Sequence, residues 1–88
     1  MKRQVQITSF LKRGATRKKV FLSITGQMTP TEIMSATYGK KSETYRSSVS
    51  RALSELEKEG LVEELTNYRI GRLYRLTKLG QKIKRTLF

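Results

Sequence analysis

The chain has no cysteine, no histidine, no aspartate and no tryptophan, and Pro30 is its only proline. Each absence closes off some chemistry. Without cysteine there is no disulfide framework, no thiol nucleophile and no zinc-finger spacing. Without histidine the commonest general base and the commonest metal ligand are both missing. Acids are scarce as well: seven, all glutamate, against 19 lysines and arginines, a formal net charge of +12 on 88 residues. Catalysis by carboxylates needs acids that converge in a cleft, and these glutamates fall on positions that read as solvated helix and hairpin sites. The sequence is therefore expected to be no enzyme, to carry no cofactor and to bind no metal. No apolar run approaches the roughly 18–20 residues of a membrane span, and no signal-peptide core follows the opening Met1-Lys2-Arg3. The expectation is no membrane association and an intracellular, cytoplasmic setting.

What is abundant is positive charge, and it is segregated. Residues 1–41 hold nine basic side chains and one glutamate, residues 42–68 three basic and six acidic, and residues 69–88 seven basic and none acidic. Two cationic ends flank a locally acidic middle. A polyanion is the natural partner of such a surface, because each lysine or arginine that neutralises a phosphate releases a counterion. No segment pairs a basic face with a broad aromatic and apolar one, so an anionic membrane surface fits less well.

The length suits one small domain, 1–88, with a single core. Five glycines fall between periodic segments, where helix stops and turns belong. Thr8 to Arg13 reads as a short helix stopped at Gly14, and Thr16 to Thr25 as a second, with Val20, Phe21 and Ile24 at helical spacing. These make an N-terminal unit, 8–25. Thr29-Pro30-Thr31-Glu32 is a strong helix start: an N-cap, a proline at the first helical position and a capping box. That helix stops at Gly39. A longer helix, capped by Ser42 or Thr44, carries Tyr45, Val49, Ala52, Leu53 and Leu56 as one apolar stripe and ends at Gly60. The pair forms a helix-turn-helix over 29–59. Leu61 to Thr66 and Arg72 to Leu76 read as two strands joined by a loop at 67–71, a wing over 61–76. Alternation places Tyr74 and Leu76 on one face of the second strand and Leu73 and Arg75 on the other. Thr77 caps a final helix, 77–88, whose buried stripe is Leu79, Ile83 and Leu87. The fold class is mainly α with a small β-hairpin, a winged helix-turn-helix.

On duplex DNA the longer helix is the expected recognition element. Its outer face carries Ser47, Ser50, Arg51 and Ser54, with Thr44 and Arg46 near its start. Small hydroxyl side chains let a helix approach base edges, and arginine reads guanine or holds a phosphate. Serine is a mediocre helix former, so its density here argues against a face chosen only for helix stability. Arg69 and Arg72 lie on the wing, where they reach the minor groove or its phosphates. Arg17, Lys18 and Lys19 open a helix, where positive charge opposes the macrodipole; Arg17 and Lys18 are therefore taken as phosphate contacts, as are Lys40 and Lys41 in the turn. Phe21, Tyr38, Tyr45 and Tyr68 fit the core or its rim better than base-stacking platforms.

Four blocks, Thr29-Pro30-Thr31-Glu32-Ile33, Val49-Ser50-Arg51-Ala52-Leu53, Leu56-Glu57-Lys58-Glu59-Gly60-Leu61-Val62, and Gly71-Arg72-Leu73-Tyr74-Arg75-Leu76-Thr77 with Gly80, resemble winged-helix transcription regulators of the MarR/ArsR-like type, above all small archaeal members. Phe10-Leu11-Lys12-Arg13-Gly14 with Arg17 and Val20 adds to the likeness, which spans nearly the whole chain. The resemblance implies a double-stranded DNA partner, a recognition helix around Ser47 to Ser54, a wing at Arg69 to Arg72, and a nucleoid-associated regulator of transcription. The interval from Glu32 to Val49 is longer than the family's pattern, so either the turn is enlarged or the recognition helix starts early. Metal-sensing members use cysteine and histidine, which this chain lacks.

Such domains commonly dimerise through helices outside the motif. Val5, Ile7, Phe10 and Leu11 near one end, and Leu87 and Phe88 at the other, are the candidates for a homodimer contact, though the Leu-Phe end also suits packing onto the chain's own core. Two other functions share the composition: a non-specific architectural DNA-binding protein, and a winged-helix protein-interaction module docking through Glu55 to Glu64.

Overall fold

Helix starts before the first apolar pair. In the computed structural model, which describes residues 2–39, 43–67, 69 and 71–87, helix α1 spans Lys2–Arg13 and not only the 8–13 segment. The added turns are rich in lysine, arginine and glutamine, all good helix formers. Ile7 and Leu11, four residues apart, turn one face into the chain's own core, which removes both from the residues expected to meet a second copy. Helix α2, Ala15–Ser23, buries Val20 and Phe21. It ends two residues short of the expected Thr25 because Ile24 adopts an extended conformation, with ψ 114°, while its side chain stays fully buried. Apolar spacing alone does not separate a helical isoleucine from one just past the helix end.

The start of α3, Pro30–Tyr38, follows the sequence closely. Thr29 Oγ1 accepts the Glu32 amide at 3.2 Å, and Glu32 Oε1 accepts the Thr29 amide at 2.9 Å. Pro30 occupies the first turn, where its missing N–H is no loss. Thr29→Ala is expected to cost about 1 kcal/mol, readable as a lowered midpoint in urea denaturation at unchanged m-value.

Helix α4, Glu43–Lys58, is the longest among the described residues. Its described part begins at Glu43, so Thr44 lies inside the first turn and not at the cap; Ser42 lies outside the described residues. Tyr38, at the end of α3, stacks on Tyr45 with ring centroids 4.1 Å apart and planes within 10°. Both tyrosines, half-buried, pack against the core, as expected of rim residues. Phe21 is fully buried, and Tyr68 is outside the described residues. At its other end α4 closes in a Schellman motif. Leu61 N–H donates to the Leu56 carbonyl and Gly60 N–H to that of Glu57, both at 3.0 Å, with Gly60 at φ 75°.

Strands β1, Val62–Asn67, and β2, Gly71–Leu76, pair antiparallel from Val62 with Leu76 to Asn67 with Gly71. The hairpin is one residue tighter at each side than the sequence reading allowed. Tyr74 and Leu76 face the core; Leu73 sits opposite Leu65 on the other face, as alternation requires, yet is only 7% exposed. One strand element was not foreseen. Met28, between α2 and α3, bridges Tyr74 in both directions: Met28 N–H donates to the Tyr74 carbonyl at 3.0 Å, and Tyr74 N–H to that of Met28 at 2.8 Å.

Helix α5, Lys78–Leu87, is held against the start of the wing. Thr77 caps it, its Oγ1 accepting the Gly80 amide at 3.0 Å. The same hydroxyl donates to the Gly60 carbonyl at 2.6 Å, and Thr77 N–H donates to that of Leu61 at 3.0 Å. Gly80 lies against this junction: a Cβ there would stand 2.1 Å from the Leu61 carbonyl oxygen. Lys84 Nζ reaches the Ile24 carbonyl at 3.3 Å, tying α5 to the end of α2. Ile83 is buried and Leu79 packs on the core, while the Leu87 side chain and Phe88 lie outside what is described. The core is apolar throughout, with no buried polar or charged residue among those described, and draws on all five helices and both strands.

The order is α1, α2, the Met28 bridge, α3, α4, then the β1–β2 hairpin and α5. It is a winged helix-turn-helix.

Candidate nucleic-acid interface

One face of α4 is committed to the core and the rest is open. Val49, Ala52, Leu53 and Leu56 are buried; Thr44, Arg46, Ser47, Ser48, Ser50, Arg51 and Ser54 are exposed. At 100° per residue these exposed residues divide into three rows. Ser47, Arg51, Ser54 and Lys58 point directly away from the core. Arg46 and Ser50 lean toward α3 and the wing, and Ser48 leans toward α2 in line with Glu55.

Each flank of α4 borders a cleft. On the α3 side a groove of about 420 Å³ is lined by Thr29, Pro30, Met34, Arg46, Ser50 and Arg72. On the α2 side a cleft of about 330 Å³ is lined by Thr16, Arg17, Ser47, Ser48, Arg51 and Glu55. All the serines named from the sequence except Ser54 thus meet a cleft wall, and each cleft carries two arginines.

Arg17, Arg72 and Arg75 each pair with a glutamate of the same chain. Arg72 Nε donates to Glu64 Oε1 at 2.7 Å and its Nη2 to Tyr74 Oη at 2.8 Å, with the guanidinium over the tyrosine ring. The Glu64 hydrogen bond is the main reason its pKa is raised further above the usual arginine value. Burial pushes the Tyr74 phenol up, against the pull of Arg72. Arg75 pairs with Glu63, its cross-strand neighbour. Arg17 pairs with Glu55, Nη1 to Oε2 at 3.3 Å, and lies over the Phe10 ring with its Cζ 4.1 Å from the centroid. So the placement of Arg17 at a helix start, which suggested a phosphate contact, already has a carboxylate partner within the chain. Arg46 and Arg51 are exposed on α4, and Arg69 is exposed at the wing tip. Lys18 is half-buried on α2. Lys40 and Lys41 fall outside the described residues.

Thr16, Ser48 and Met34 line these clefts without having been proposed as contacts from the sequence, and Glu55 entered there only as part of an acidic docking region. Ser48 and Glu55 are seven apart, two turns along one side of α4. That spacing was legible, but nothing in it says that α2 is what they face.

No family model matches the chain, and no curated protein or solved structure matches it. A winged helix-turn-helix is compatible with a DNA-binding module in general. Among the described residues no three histidine, cysteine, aspartate or glutamate side chains gather as metal ligands, and no helix is long and apolar enough to cross a membrane.

Proposed function

We propose that the protein is a sequence-specific double-stranded DNA-binding regulator of transcription, similar to small archaeal MarR/ArsR-like regulators. It works in the cytoplasm on the nucleoid, without catalysis. Helix α4 enters the major groove, and the wing reaches the adjacent minor groove or backbone. The observation that carries this reading is the outer face of α4: exposed serines and arginines, flanked on both sides by clefts that each hold two arginines. Ser47, Ser50, Arg51 and Ser54 take base edges, Arg46 and Thr44 the flanking backbone, and Arg69 the groove beside the wing. A homodimer through the terminal helices would read two inverted half-sites.

The acidic docking surface of a protein-interaction module is less favoured. Glu55, Glu63 and Glu64 are each paired to an arginine of the same chain, so much of that charge is already answered.

The deciding experiment is selection of random duplex DNA by the purified protein at physiological salt. One enriched motif with inverted half-sites supports a dimeric specific regulator. Retained DNA with no enriched motif replaces it with an architectural protein, and no retained DNA ends the nucleic-acid reading. Arg51→Ala is expected to weaken binding to the selected motif by about 1–3 kcal/mol and to relax preference at one base position. An unchanged motif in that variant would remove Arg51 from base contact.

A further inference from the structure

The Arg17–Glu55 pair stands in the cleft between α2 and α4, on the flank of the face proposed to meet DNA. Three features distinguish it from an ordinary surface pair. Glu55 is itself a residue of the proposed recognition helix, one turn beyond Arg51 on the side that faces α2. Arg17 is held by a second contact that does not depend on Glu55, the stack on Phe10. And the cleft around the pair is roomy, about 330 Å³, with the hydroxyls of Thr16, Ser47 and Ser48 and the guanidinium of Arg51 on its walls.

We infer that the Glu55 carboxylate is a resident competitor for a DNA phosphate at Arg17, so that the cleft between α2 and α4 is a backbone-phosphate site whose arginine is already engaged in the free protein. The inference rests on the DNA-binding function proposed above. The Glu55 side chain is 38% exposed and that of Arg17 21%, so the pair lies near water and is a weak one. A phosphate entering the cleft finds the hydroxyls of Thr16 and Ser48 beside Arg17, with the base-reading Ser47 and Arg51 on the adjoining wall, while the Phe10 stack keeps the Arg17 guanidinium in place as Glu55 lets go. The exchange is neutral in charge: one anion leaves Arg17 and another arrives. Arg17 therefore releases no counterion on binding, although it touches phosphate. Glu55 restrains affinity and removes one unit of salt dependence.

Glu55→Gln should thus do two things at once. Binding of a labelled random-sequence duplex should tighten about threefold to tenfold at low salt, and the slope of log affinity against log salt should steepen by about 0.9, one further phosphate neutralised. Removing any glutamate near DNA raises affinity somewhat, so Glu57→Gln, on the same helix but toward the wing, measures that general effect. The double variant Arg17→Gln/Glu55→Gln against Arg17→Gln alone isolates the pair, and circular dichroism verifies that each variant is folded. The inference holds if Glu55→Gln exceeds Glu57→Gln in both readouts and its excess vanishes when Arg17 is glutamine. It is overturned, with the DNA-binding function intact, if both glutamine variants gain equally or if the gain survives loss of Arg17. Failure of the wild-type protein to bind any duplex overturns both together.

Discussion

Gly80→Ala is expected to destabilise the protein by about 2–3 kcal/mol, even though alanine is the better helix former. At an ordinary helical position the substitution stabilises by up to about 1 kcal/mol. Here the new methyl group would stand 2.1 Å from the Leu61 carbonyl oxygen and 3.3 Å from the Leu76 Cβ. The obstacle is backbone, not the tip of a flexible side chain. That backbone is also pinned, since the same Leu61 carbonyl accepts Thr77 N–H and the Thr77 hydroxyl holds the Gly60 carbonyl. Relief therefore requires α5 to back away from the α4–β1 junction, loosening Ile83 and the cap together. In a domain of this size each kcal/mol moves the melting midpoint by about 4–8 °C, so thermal denaturation should show a fall on the order of 10–20 °C. An unchanged or raised midpoint would mean that α5 does not approach the junction this closely.

The second large effect concerns salt. Affinity for duplex DNA is expected to fall about a thousandfold between 50 and 200 mM salt, the loss for about six neutralised phosphates. The estimate sits at the lower end because total charge overstates what is available. Of the 19 basic residues, Arg17, Arg72 and Arg75 already have glutamate partners in the chain. Arg51 is exposed on the outer face of α4, and lysines from both ends of the chain add to the charge that meets phosphate. Fluorescence anisotropy of a labelled duplex across a salt series measures the slope. A shallow dependence with undiminished affinity would mean that binding rests on something other than phosphate charge.

How much of this was legible in the sequence depended on how local the cause was. The Thr29 to Glu32 box, the Thr77 cap and the apolar stripe of α4 are written within a few adjacent residues, and the structure follows them. The winged order of elements was legible for the same reason. Met28 was not, because its bridge is imposed by Tyr74, a residue remote in sequence, and a single residue leaves no periodicity. Arg17 shows the limit most clearly. Its position against the helix dipole suggested a phosphate contact, and sequence spacing had no means of finding the Glu55 carboxylate on another helix. Gly80 falls inside the final helix read from the sequence, but the reason for a glycine there, the Leu61 carbonyl, is purely tertiary.

The Met28 bridge has a mechanical meaning for the proposed complex. Met28 directly precedes Thr29, the residue that caps α3, and its two hydrogen bonds end on Tyr74 in the wing. Wing and helix-turn-helix are thus riveted to each other at the backbone, beside the groove that runs between them. The hairpin cannot swing outward to suit a wide site or fold inward for a narrow one without breaking that rivet. On a duplex, the protein would act as a caliper of fixed gauge. The DNA would have to bring its major and minor grooves to that spacing, and sequences that bend or compress easily would be favoured at base pairs no side chain touches.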